Sequence, residues 1–257
     1  MAIRRFREHA AAQNWFAVGV DLAIVVVGVF LGIQASNWNA ARIERAEARA
    51  YRTLIIEDLK ANEQELAERS RYYRQVRAHA IAAMAALEGP TPRGEAFLVN
   101  SYQATQVSPL WMERSAYDEM IASGMAKSFG EPAVRRRLSS YYAATARLEA
   151  ASIFDTGYRE RIRRDMMFAV QRRLRERCSD LISISEGRET ITLPERCSLQ
   201  LPATLISRAA NDLSKIPELE EELTRHIGDL DVKIARFDRW LQLARGTRQA
   251  LEEVEMS

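Results

Sequence analysis

Lysine is nearly missing from this chain: of 37 basic residues only four, Lys60, Lys127, Lys215 and Lys233, are lysine, and 35 acids leave a formal net charge of +2. No basic face of nucleic-acid-binding size stands out, which argues against DNA and RNA as partners. Glycine (11) and proline (7) are few for 257 residues, which argues against a loop-rich or all-β fold. Charged residues at 28% and hydrophobic residues at 47% argue against a disordered chain and a multi-span transporter. The class that remains is all-α. Three scattered histidines (His9, His79, His226) without a CxxC or HxxxH pattern suggest no metal site. GxSxG, HExxH, Walker and dinucleotide-binding patterns are also lacking, so the expectation is no catalytic residue, no cofactor and no enzyme. Acid pairs such as Glu57 with Asp58, or Asp229 with Asp231, sit among arginines as a solvated ion-pair face does. The run Arg135, Arg136, Arg137 reads the same way.

One long hydrophobic run is present. Residues 16–35 read FAVGVDLAIVVVGVFLGIQA, 20 residues with a single charge, about what a helix needs to cross the hydrocarbon core. Trp15 and Trp38 bracket the run where amphipathic rings prefer to lie, and Arg4, Arg5 and Arg7 precede it. The expected layout is a cytoplasmic segment 1–14, a transmembrane helix 15–38 and a remainder 39–257. A cleaved signal peptide is the alternative, since Ile33, Gln34 and Ala35 loosely resemble a processing site; the length of the run and Asp21 speak against it. Arg42, Arg45, Arg49 and Arg52 follow the run, so counting basic residues on the two sides does not orient it.

The only two cysteines, Cys178 and Cys197, flank a segment whose apolar and polar residues alternate on either side of Glu186, Gly187 and Arg188, the pattern of a β-hairpin. Residues 179–198 are therefore read as a cysteine-flanked hairpin whose open end brings the two thiols together. A disulfide there points to an oxidising compartment, which makes the large C-terminal part periplasmic; two unrelated buried thiols are the alternative.

Three long helices are expected beyond the membrane. After Trp38 there is no glycine or proline until Gly89 and Pro90, and apolar positions recur at helical spacing. A second helix begins near Pro132 and runs to about Cys178, kinked at Gly157, and a third follows Ser214 with Pro217 and four acids in its first turn. The predicted fold is a single transmembrane helix continuing into an extended antiparallel bundle of three long helices, with the short hairpin near the membrane. The first helix leads away from the membrane, the second returns, and the third leads out again. Residues 89–131 form the distal tip, where Tyr102, Leu110, Trp111, Tyr117 and Phe129 concentrate aromatic surface, either closing the bundle or offering a partner patch.

Within the hydrophobic run, Asp21, Gly28, Gly32 and Ala35, with Asn39 beyond, recur at seven-, four- and three-residue steps. One helical face therefore carries an acid, a GxxxG and a polar end. Glycines admit a second backbone, and an acid in the bilayer calls for a partner or a water-filled path.

The run from Asp21 through Gln34, Asn37, Trp38 and Asn39, with Tyr51 and Leu54 following, resembles a bacterial single-pass membrane-protein family. That family is marked by an acidic residue, an aliphatic span and Gln-x-x-Asn-Trp-Asn. The segment from Ala116 to Gly124 and the pair Tyr141 and Tyr142 look like its Ser-Gly and Tyr-Tyr segment. Aspartate rather than glutamate stands at position 21, and the hairpin is outside the pattern. The resemblance implies topology and no mechanism. The expected protein is a non-enzymatic scaffold of the bacterial inner membrane, homo-oligomeric and engaged with the lipid bilayer and another envelope protein. The alternative is an energiser-like subunit of an ion-driven complex that uses Asp21.

Overall fold

The computed structural model describes residues 15–90, 93–152, 156–185 and 188–255. Arg4, Arg5, Arg7, His9, Glu186 and Gly187 lie outside the described residues. Helix α1, Trp15–Glu88, runs without a break for 74 residues, about 110 Å at 1.5 Å per residue. Between Gly32 and Gly89 it contains neither glycine nor proline, so nothing interrupts its i→i−4 ladder. A short helix α2 (Glu95–Gln103) follows, then an irregular stretch, helix α3 (Ser115–Ala122) and a 3₁₀ turn (Met125–Lys127). Next come α4 (Pro132–Ser152), α5 (Gly157–Asp165), α6 (Phe168–Arg177), strands β1 (Leu181–Ser185) and β2 (Arg188–Thr192), α7 (Ala203–Ser214) and α8 (Leu219–Glu255). The chain is all-α with one short hairpin, as its composition requires. The strands pair antiparallel from Leu181 opposite Thr192 to Ser185 opposite Arg188.

The second long helix of the sequence reading is three helices. Thr156 caps α5, accepting a hydrogen bond from the Arg159 amide. Extended backbone at Met166 (ψ 132°) and Met167 (ψ 127°) separates α5 from α6. The order of directions also differs from the expectation. Helix α8 runs antiparallel to α1: Arg77 pairs with Asp231, Ser70 donates to Asp238 at 2.6 Å, and Arg248 binds Glu63 at 2.6 Å. Helix α4 runs the same way as α1, since Tyr141 meets Trp240 and Arg137 lies beside Gly246 of the antiparallel α8. The chain between α2 and α4 makes the return journey instead. Its residues Ser108, Glu113, Ala116 and Ser128 bond in turn to Arg69, Asn62, Asp58 and Glu44, ever closer to the apolar end of α1. Much of the segment expected at the distal tip therefore lies along the proximal half of the pillar. The hairpin sits beside the distal half of α1 rather than near the apolar run, its Leu193 amide bonded to Gln75 Oε1 at 3.1 Å.

Between α2 and α3 the returning stretch lacks regular structure, so its backbone there needs partners from elsewhere. Asn62 supplies two. Its Nδ2 donates to the Glu113 carbonyl at 2.8 Å, and its Oδ1 accepts from the Glu113 amide at 2.6 Å. Tyr73 donates its hydroxyl to the Ser108 carbonyl at 3.0 Å and accepts the Ser108 amide at 3.2 Å. These side chains are buried in the helix face that also carries Ile55, Leu59, Leu66, Val76 and Ala80. Asn62→Ala is expected to destabilise the protein by about 1–3 kcal/mol, because it strands both Glu113 groups. Urea unfolding followed by tryptophan fluorescence measures it, and a loss below about 0.5 kcal/mol, the level of a neutral surface change, shows that the bracket does not hold the segment.

Candidate functional site

Every residue from 19 to 40 is exposed, and the most apolar 18-residue window of α1, with mean hydropathy 1.9, has none of its residues buried in the molecule. Among the described residues this is the one helix long and apolar enough to cross a membrane. On an ideal helix, at 100° per residue, Asp21, Gly28, Gly32, Ala35 and Asn39 fall within an arc of about 60°. The α-helical backbone through this run therefore sets the five residues in one stripe. A Cβ built on Gly28 or Gly32 meets nothing within 4 Å, so among the described residues nothing occupies the close-approach face.

Cys178 closes α6 and is fully buried; Cys197 follows the hairpin, and their Cα atoms stand 5.5 Å apart, within the disulfide range. The hairpin brings them together as its pattern required. The four aromatic candidates do not form a common surface. Tyr102 and Phe129 are 2% and 0% exposed. Tyr117 stacks on Tyr142 with centroids 4.3 Å apart. Trp111 alone is open, at 72% exposure. Three of the four are absorbed by packing because their segment lies against α1 instead of projecting beyond it.

Two hollows escaped the sequence reading because they join residues far apart in the chain. Beside Trp111, a groove against α1 gathers Glu65, Glu68, Glu113 and Glu189, with Arg69 held by Glu65 at 2.8 Å. Burial pushes the Glu65 carboxyl above its ordinary value, an effect that Arg69 opposes. The other hollow, a cavity of about 250 Å³, lies between α4, α5, α8 and the chain after α2, floored by Leu148, Leu230 and Phe237. His226 stands in its wall. Its Nε2 lies 2.7 Å from the Ala104 carbonyl, which can only accept, so Nε2 carries the hydrogen. The neutral ring's Nδ1 then accepts from the Thr156 hydroxyl at 2.9 Å. Burial, with Lys233 and Arg159 nearby, pushes the His226 pKa down; the Ala104 bond and Asp229 oppose this. No group of three or more potential metal ligands occurs among the described residues. No family model, curated protein or solved structure matches the chain.

Because the folded state disfavours protonated His226, the unfolded chain binds more protons as the pH falls below about 6.5, the ordinary histidine pKa. The stabilisation from the neutral ring is complete above that pH. It is lost toward lower pH at up to about 1.4 kcal/mol per pH unit, until the folded ring also protonates. Urea titrations at pH 7.5 and 5.5 should show a smaller pH-dependent loss for His226→Gln than for the parent; an equal loss removes His226 as the titrating group.

Proposed function

We propose that the chain is a single-pass protein of the bacterial inner membrane that presents a helical interaction scaffold in the periplasm and associates with copies of itself through the glycine face of α1. The observation that carries this reading is the run of exposed aliphatic residues at positions 19–35, which continues as one helix into a packed bundle. A segment of that length and composition suits the hydrocarbon core. The paired positions of Cys178 and Cys197 support an oxidising compartment for the bundle, hence a cytoplasmic N-terminus. The resemblance to a bacterial single-pass family, carried by Asp21, Gln34, Asn37, Trp38 and Asn39, supports the same layout. The scaffold works by binding rather than by catalysis, and another envelope protein is its second partner. Protein partners suit an open stripe of small residues, where two backbones approach closely.

Two measurements test it. With the bundle in the periplasm, the denatured, unreduced protein should leave neither cysteine open to maleimide, and reduction should cost about 3 kcal/mol of stability for a loop of this size. Reaction of both thiols before reduction withdraws the support for the periplasmic assignment. For the glycine face, Gly28→Leu with Gly32→Leu should weaken self-association in mild detergent, while Asp21→Asn should preserve it, because an amide of the same shape keeps a packed polar contact. Unchanged assembly of the double glycine variant refutes the interface. Asp21 also has no partner within the chain among the described residues, which keeps the second reading, an energiser-like subunit. If Asp21→Asn leaves assembly intact and abolishes cellular function, proton or ion transfer replaces packing as its role.

A further inference from the structure

The arginines that follow the apolar run share a second face of α1. At 100° per residue, Arg42, Arg45, Arg49 and Arg52 fall within an arc of about 80°, beside the glycine stripe and not on it. Most other arginines that face across the bundle are matched to carboxylates: Arg74 to Asp238, Arg77 to Asp231, Arg248 to Glu63, Arg161 to Glu222. Here they are not. The side chains of Arg42 and Arg49 make no hydrogen bond or ion pair among the described residues, and that of Arg45 reaches only the carbonyl of Ala41 in its own helix. The nearby acids do not neutralise them: Glu44 is bonded to Ser128, and Glu44 and Glu47 point to other sides of the helix at the same helical pitch.

The returning segment adds charge to this end. Arg52 lies over the Phe129 ring at 5.8 Å and beside Gly130, which brings the 3₁₀ turn and the start of α4 against the arginine face. Lys127 is exposed there, and Arg135 is fastened to the turn through the Lys127 and Gly130 carbonyls at 3.1 and 2.7 Å. Arg136 is exposed and without a bonding partner among the described residues; Glu131 is the opposing acid in this stretch.

Position then selects the ligand. Arg42 follows Trp38 by four residues and Arg45 by seven, about 6 and 10 Å along the axis, so Arg42 lies within a headgroup layer about 5–8 Å deep and Arg45 just past it, within reach of its stem, while Arg49, about 16 Å out, lies beyond. Side chains of a helix lean toward its N-terminus, here toward the apolar run, and long arginine stems extend that lean. A planar guanidinium meets a phosphate oxygen pair through two parallel N–H groups, which a lysine ammonium does not. We propose that this arginine face is a binding site for anionic phospholipid headgroups, one that fixes the height and rotation of the pillar while the glycine face remains free for a second copy. The inference rests on the membrane reading above.

The full chain in mild detergent, titrated with phosphatidylglycerol or phosphatidylcholine and weighed by native mass spectrometry, tests it. Phosphatidylglycerol should be retained in preference. The double variant Arg42→Gln, Arg45→Gln should hold it about 25-fold less tightly, on the basis of about fivefold per arginine. These residues are exposed, so circular dichroism and melting temperature should not change. Equal retention of the two lipids, or parent-like retention by the double variant, overturns the proposal. Displacement of the lipid by millimolar inorganic phosphate also overturns it, in favour of a site for free anions. Alkaline carbonate extraction of cell membranes separates the two readings. A parent chain that is extracted defeats the membrane anchor itself, whereas one that stays in the membrane without lipid preference defeats only the lipid site.

Discussion

The unbroken backbone ladder of α1 is the constraint on which the remaining architecture depends. A helix about 110 Å long cannot bury itself, so the rest of the chain is arranged by which part of it each segment covers. Helix α8 covers α1 over most of the length beyond the apolar run, and the returning segment and the hairpin cover further parts of it. Among the described residues, nothing covers positions 19–40, about the first third of the helix.

What covers the pillar explains why its buried face is not uniformly apolar. The stretch between α2 and α3 runs against α1 without a ladder of its own, so Asn62 and Tyr73 act as its hydrogen-bonding partners, while Asp58 accepts the Ala116 amide in the first turn of α3. Arginine serves the same end elsewhere. Arg163 bonds Thr105 Oγ1 at 2.7 Å and Gln106 Oε1 at 2.9 Å, reaches the Tyr102 hydroxyl, and lies 3.8 Å from the centre of the Tyr102 ring. A single lysine ammonium has no planar fork with which to hold that many groups at once. Where arginine ties loops to helices in this way, the scarcity of lysine has a structural use.

The parts legible in the sequence are those whose signals are local. The apolar run, the length of α1, the hairpin with its flanking cysteines and the stripe of α8 through Leu223, Leu230, Ile234 and Phe237 all announce themselves by periodicity or punctuation. The parts that were not legible depend on distant partners. The extended backbone at Met166 and Met167 carries no glycine or proline, so the α5–α6 break has no local marker. Helix α7 was missed because its buried side is made of small residues, Ala209 and Ala210 with Leu213, a weak stripe that gains its meaning only against α2. The reversal of helix directions follows from Asn62 and Asp58, which read as ordinary polar positions until Glu113 and Ala116 arrive beside them. The burial of Phe129 and Tyr102 follows from the same reversal.

The two ends of α1 differ energetically in how much apolar surface they leave open. Ten large aliphatic or aromatic residues between Val20 and Ile33 are each 40–64% exposed. Covering them is worth on the order of 10–20 kcal/mol at about 1.5–3 kcal/mol for a fully covered side chain. That is comparable to or larger than the 5–15 kcal/mol that typically separates folded from unfolded states. Left in water, the run therefore favours any contact that hides it over solubility of the bundle. A bilayer hides all sides at once, while a second helix hides one. The stripe of Gly28 and Gly32 offers the least to lipid, since it has almost no side chain to bury, and the most to another backbone, since it lets the partner approach. On the reading proposed above, lipid around most of the circumference and a second copy along the glycine stripe would divide this surface so that the least apolar area stays uncovered.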